Sequence, residues 1–142
     1  MGQGDVFLDT AYAIVLSAPS DQHHLRAISL AEQLEASGAR LITTRAILLE
    51  IGNALAKLRY REAAVVLLDS LERDPNVEIV PLSEEMYLRA FELYGSRPDK
   101  EWGLTDCVSF VIMQDRGLTA ALTTDDHFQQ AGFEVLLRNS AG

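Results

Sequence analysis

The 142-residue chain is 48% hydrophobic and 23% charged, with a formal net charge of -9 and one cysteine. That length buries an ordinary core in a single domain over residues 1–142, and the composition excludes a disordered acidic tail or a low-complexity linker. No apolar run approaches the roughly 18 residues that cross a bilayer, Asp5 sits where a secretory signal wants a basic residue, and Cys107 has no second cysteine to pair with. A cytoplasmic protein without a membrane segment is expected. With 21 acidic against 12 basic residues, the bare surface does not make a passive footprint for duplex DNA. A nucleic-acid enzyme stays open, because a bound cation inverts the potential of an acidic site.

Short β-rich runs alternate with longer helical patterns. Val6-Phe7-Leu8 reads as a strand ended by Asp9-Thr10. From about residue 21 to residue 37, Leu25, Ile28, Leu30, Ala31 and Leu34 recur at helical spacing, and Gly38 supplies a stop. Arg40 to Thr43 reads as a second strand, with Thr44 as N-cap of a helix striped by Ile47, Ile51, Leu55 and Leu58. A further helix covers about residues 61–73 and ends at the turn cluster Asp74-Pro75-Asn76. Val77 to Val80 is a third strand, and Ser83-Glu84-Glu85 opens a helix with acid in its first turn. Residues 95–103 read as the least regular stretch and the expected loop. Residues 104–116 are apolar on most sides and predict a buried central helix. Thr119 to Thr123 and Phe133 to Leu137 complete the set as a fourth strand and a short fifth. Strands separated by helices imply right-handed crossovers and a parallel sheet covered on both faces.

Four carboxylates fall in positions that ordinary surface residues do not occupy. Asp9 follows an apolar strand at its carboxyl end, where open α/β sheets bind ligands. Glu50 borders the apolar stripe of its helix, where a partly desolvated carboxylate needs a partner. Asp106 lies in the first turn of the most apolar helix, and Asp125-Asp126 follow the fourth strand. Each has a structural explanation of its own: an N-cap for Asp9, a rim position paired with Lys57 or Arg45 for Glu50, dipole complementarity for Asp106, and a turn for Asp125-Asp126. Jointly they point to one sheet edge, where like charges raise one another's pKa values and a hard divalent cation relieves the conflict. Mg2+ or Mn2+ suits such oxygen donors, and the absence of a Cys/His cluster disfavours zinc. A metal of this kind supports phosphodiester hydrolysis.

The runs Phe7-Leu8-Asp9-Thr10, Thr44-Arg45-Ala46-Ile47-Leu48-Leu49-Glu50 with Asn53, Leu104-Thr105-Asp106-Cys107-Val108-Ser109-Phe110, and Leu122-Thr123-Thr124-Asp125-Asp126-His127-Phe128 with Gly132-Phe133 together resemble the PIN-domain family. They are especially similar to the VapC-type toxins of bacterial toxin–antitoxin pairs. The resemblance runs in order over nearly the whole chain. It implies a three-layer α/β/α sandwich around a central parallel sheet of four to five strands. It also implies a Mg2+- or Mn2+-dependent endoribonuclease, dimeric, and neutralised by a cognate antitoxin. Carried over by position, Asp9, Glu50, Asp106 and Asp125 form the acidic quartet. Asp9 and Asp106 would be the most direct metal ligands, with Glu50 and Asp125 completing the site or acting through water. Thr10, Asn53 and Thr123 are supporting positions, and Asp126 is placed outward. The implied reaction is hydrolysis of an RNA phosphodiester by metal-activated water.

Other residues carry less. His23 and His24 precede a helix and read as surface residues, and Cys107 as a small core residue. His127 reads as a packing or turn-capping residue, with a minor substrate contact as the alternative. Trp102 reads as a packing residue, with base stacking as its alternative. Arg45 is the basic residue nearest in sequence to a quartet motif and is the candidate phosphate contact. Two other functions compete: a PIN-like domain that binds RNA or protein without cleavage, and a solitary RNA-processing nuclease. The acidic balance suits a partner segment that brings arginine towards the carboxylates.

Overall fold

The computed structural model describes residues 4–138. The elements run β1 (Val6–Leu8), α1 (Thr10–Leu16), α2 (His24–Ser37), β2 (Leu41–Thr44), α3 (Arg45–Ala54) and α4 (Leu58–Arg73) in the first half. The second half adds β3 (Val77–Val80), α5 (Glu84–Ser96), α6 (Leu104–Arg116), β4 (Ala120–Leu122), α7 (Asp126–Gln130) and β5 (Glu134–Val135). All five strands pair in parallel, in the order β3-β2-β1-β4-β5, with helices flanking the sheet.

This order positions the site. From β1 the chain winds outward through β2 to β3, then crosses back so that β4 pairs with the other side of β1. Phe7 is opposite Ile42 on one side and Ala121 on the other. Where the winding direction reverses, the loops leaving the two strand ends part and open a crevice. That crevice lies beyond Leu8 and Leu122.

β1 is buried on both faces, as a central parallel strand must be. Phe7, Phe110 and Phe128 form the middle of the core, with Phe110 meeting Phe128 edge-on at 5.0 Å between ring centres. α6 buries seven consecutive residues, Cys107 to Met113, and packs chiefly against α5, with further contacts to α3 and α7. It stops at Gly117, whose φ of 67° an L side chain adopts only under strain. The hydroxyls of Thr44 and Ser83 cap α3 and α5, accepting from the Ile47 and Met86 N–H groups at 3.1 Å. Loss of such a cap costs about 1 kcal/mol.

Several sequence expectations shift. α2 begins at His24, because residues before it turn around Asp21, whose carboxylate accepts the His23 N–H at 2.8 Å. Its inward face is Ala27, Leu30 and Leu34; Leu25, counted in the apolar stripe, is 79% exposed. The stripe through Ile47 and Ile51 ends at Leu55, since the chain turns extended at Lys57 and Leu58 opens α4 at 91% exposure. α5 continues through Ser96, so the irregular stretch spans only 97–103. Asp125-Asp126 do more than turn: Asp125 caps the short helix α7. The fifth strand narrows to Glu134–Val135.

Candidate active site

Asp9 is the first residue beyond β1 and is 5% exposed. Its N–H donates to the Leu122 carbonyl at 3.3 Å, which fastens it to the end of β4. The Thr123 hydroxyl donates to Asp9 Oδ2 at 2.7 Å and accepts the Asp125 N–H at 3.0 Å. One buried hydroxyl thus sets both the Asp9 carboxylate and the backbone of Asp125. The next residue after Asp9 does the same for α3, for the Thr10 hydroxyl donates to Glu50 Oε1 at 2.5 Å.

The first turn of α6 brings in Asp106, whose Oδ2 accepts the Gly103 N–H at 3.0 Å. The same oxygen lies 2.9 Å from His127 Nδ1. That nitrogen is also 3.3 Å from Asp125 Oδ1, which accepts the His127 N–H at 2.9 Å. Asp106, Asp125 and His127 therefore offer three ligand atoms within 4.8 Å of one another.

Like charges in a half-buried crevice cost free energy, and the carboxyl groups register it. Burial pushes Asp9 up to about 7 from 3.8, against the lowering effect of hydrogen bonds from Thr123 and the Thr10 backbone, and the charges of Asp106 and Glu50 raise it further. Asp106 is also raised, by burial first and by the charge of Asp125, while the Gly103 N–H and His127 oppose the shift. The four sequence-identified acids thus come to one edge, with Asp9 electrically coupled to Asp106 and Glu50 and Asp106 to Asp125. A divalent cation would offset this repulsion and lower the raised pKa values, and Asp106 and Asp125, with His127, already stand at ligand spacing.

Not every expectation holds in detail. Glu50 is exposed and reaches the crevice from its solvent side, so the expected desolvation falls mainly on Asp9. Asn53 is exposed one turn along α3 from Glu50, and both line a groove of about 350 Å³ with Leu82, Tyr87 and Thr105. Arg45 is paired with Glu72 on α4. Asp126 faces outward and pairs with Arg138 at 2.7 Å. Trp102 is buried edge-on against Phe110 at 5.0 Å and donates to Gln130, which leaves no face for a base. His24 Nδ1 meets the Val15 carbonyl at 2.9 Å, away from the acids.

His127 is the residue that sequence reasoning undervalued. Its place two residues after Asp125 was visible, but its contact with Asp106 spans 21 residues and depends on how α6 and α7 pack.

The 23S rRNA-specific endonuclease VapC20 of Mycobacterium tuberculosis is 24% identical over 128 residues, covering 90% of this chain and 95% of that protein. The crystal structure of Mycobacterium tuberculosis VapC20, described as a Sarcin–Ricin loop cleaving toxin, matches with a TM-score of 0.79 and 25% identity over 91% of this chain and 96% of that one. VapBC2 from Rickettsia felis, solved with a DNA fragment from its promoter, shares the fold at a TM-score of 0.66 and 14% identity, over 94% and 96% of the two chains. FitAcB from Neisseria gonorrhoeae does so at 0.61 and 22%, over 92% and 96%. The PIN domain family model matches residues 6–134, from the first residue of β1 into β5 and across all four acidic positions. The protein belongs to the PIN domain family.

Proposed function

We propose that the protein is a Mg2+- or Mn2+-dependent endoribonuclease and the toxin component of a type II toxin–antitoxin pair. The observation that carries this reading is the convergence of Asp9, Glu50, Asp106 and Asp125 on one edge of the sheet, with Asp9 buried and raised to about 7. When bound, a divalent cation supplies an activated water and neutralises charge on the phosphodiester. Asp9 and Asp106 would be its most direct ligands, with Glu50 and Asp125 completing the site or acting through water. Thr123 and Thr10 fix the Asp9 and Glu50 carboxylates before substrate arrives, so little reorganisation is left for the reaction. The RNA strand enters beside Glu50 and Asn53, where the groove adjoins the acids. Arg45 meets a phosphate by exchanging Glu72, an exposed pairing whose loss costs little.

The relative VapC20 makes 23S rRNA the first substrate to test. The VapBC2 and FitAcB structures that share the fold support an antitoxin partner, and the chain's net charge of -9 favours a cationic segment. A groove between α1, α2 and α4, lined by Tyr12, Leu16, Leu34 and Leu71 with Glu35 and Asp74, suits an amphipathic basic helix. A homodimer is supported by the exposed row Tyr87, Leu88, Phe91 and Tyr94 on α5, an apolar face with no cover in the single chain. Among the described residues no helix is long and apolar enough to cross a membrane. A cytoplasmic site of action fits an RNA substrate and the lone buried Cys107 thiol.

The test is cleavage of 23S rRNA and of a mixed RNA pool with Mg2+ or Mn2+ by wild type and by Asp9→Asn. Metal-dependent cleavage that the substitution abolishes is expected. Equal cleavage by the variant, or cleavage that survives EDTA, removes the proposal.

A further inference from the structure

Among the described residues, Asp106, Asp125 and His127 are the one set of three side chains whose ligand atoms cluster at metal-binding spacing. The family reading assigns the acids and leaves the imidazole without a task. We propose that His127 is itself a metal ligand through Nδ1, making the centre a mixed carboxylate–imidazole site that selects a first-row transition ion over Mg2+. This rests on the metal-dependent nuclease reading and deepens it by naming the class of ion.

Geometry is the first support. Nδ1 lies 2.9 Å from Asp106 Oδ2 and 3.3 Å from Asp125 Oδ1. Six ligands at about 2.1 Å from an ion put neighbouring ligand atoms about 3.0 Å apart. Both separations therefore match edges of one coordination shell.

The hydrogen bonds of the trio leave lone pairs to spare for an ion. A neutral ring has one N–H to give on that side. At 2.9 Å it serves Asp106, while Asp125 Oδ1, 3.3 Å away, accepts the His127 backbone N–H and keeps a second lone pair. A cation accepts a lone pair from all three atoms at once. The backbone also prepares the ring: the His127 N–H is bound to Asp125 Oδ1 at 2.9 Å, which roots the side chain beside its co-ligand. In the Nε2–H tautomer, Nδ1 offers the lone pair, and the 30% exposure of the side chain lets solvent meet Nε2–H.

Selectivity follows from donor type. Mg2+ keeps to oxygen donors and holds its waters, whereas an imidazole nitrogen adds affinity for transition ions. The expected preference is for Mn2+ over Mg2+ by about tenfold or more, the size of effect a single supporting residue has on metal affinity.

Pulsed electron paramagnetic resonance on the full chain loaded with Mn2+ reads the ligand directly. Nitrogen modulation from a coordinated imidazole is expected in the wild type and in His24→Gln, and is lost in His127→Asn. Calorimetric titration with Mn2+ and Mg2+ separately should show the preference in the wild type and its near disappearance in His127→Asn. Bound Mn2+ without nitrogen modulation overturns the assignment, as does an unchanged Mn2+/Mg2+ preference in the variant. In either case EDTA-sensitive, Asp9-dependent RNA cleavage leaves the nuclease reading standing. Nitrogen modulation in a protein that cleaves no RNA supports the ligand and removes the nuclease instead. A chain that binds no Mn2+ overturns both.

Discussion

Replacing Asp9 by Asn should make the metal-free protein more stable, and only above acidic pH. Asp9 is 5% exposed and its carboxyl group is raised from 3.8 to about 7. Below 3.8 it is protonated in both folded and unfolded chains, and folding pays nothing for its charge. As pH rises from 3.8 to 7, the unfolded chain releases the proton while the folded chain keeps it. Each pH unit then removes about 1.4 kcal/mol of stability. Across about three units the loss is about 4 kcal/mol, after which it levels off. Asparagine keeps an oxygen for the Thr123 hydroxyl and carries no charge, so the variant escapes this loss. Urea unfolding of both proteins in EDTA at pH 4 and pH 8 checks it. Nearly equal stabilities are expected at pH 4, with the variant ahead by about 2–4 kcal/mol at pH 8. Saturating Mn2+ should reverse the order at pH 8, because only the wild type gains the full binding energy. A variant less stable than wild type in EDTA at pH 8, or a gap independent of pH, would refute the reasoning that Asp9 is held at a cost in the empty site.

Three further outcomes follow from the same structure. Thr123→Val removes a hydroxyl that serves Asp9 and the Asp125 N–H together; it should cost about 1–3 kcal/mol in unfolding experiments and weaken Mn2+ binding in calorimetry. Phe110→Ala empties the ring cluster formed with Trp102, Phe128 and Phe133, and should lower stability by about 3–5 kcal/mol while shifting Trp102 fluorescence. Phe91→Asp places a charge in the exposed row on α5; sedimentation velocity should show a dimer in the wild type and a monomer in the variant, with the melt little changed.

What the sequence disclosed depended on how local the cause was. Strand β1 and Asp9 were legible because an apolar run that stops at a carboxylate marks a strand end directly. Helix α6 was legible at both ends, since its apolar run is long and Gly117 closes it. Helix α7 was not, because five residues carry no period and Asp125-Asp126 have the composition of a turn. The break between α3 and α4 falls earlier than the sequence pattern places it for a related reason: Leu55 and Leu58 keep helical spacing across a gap that only the extended backbone at Lys57 discloses. Periodicity also says that a face is apolar without saying what covers it. Leu25 and Leu58 therefore fall in apolar stripes and yet stand in solvent. At the site the same division holds. The acids follow from strand and helix ends, whereas the depth of Asp9, the openness of Glu50 and the place of His127 depend on packing between distant segments.

The order of the strands has a consequence for synthesis. Asp9 leaves the ribosome among the first residues, yet the hydroxyl that orients it is 114 residues further along. Its strand gains one neighbour at residue 41 and waits until residue 120 for the other. A nascent chain thus carries a half-built edge for most of its translation, and a premature stop between α3 and α6 leaves a fragment that has Asp9 and Glu50 but neither Asp106 nor Asp125 to complete them. Nearly the whole polypeptide must be finished before the four carboxylates can meet.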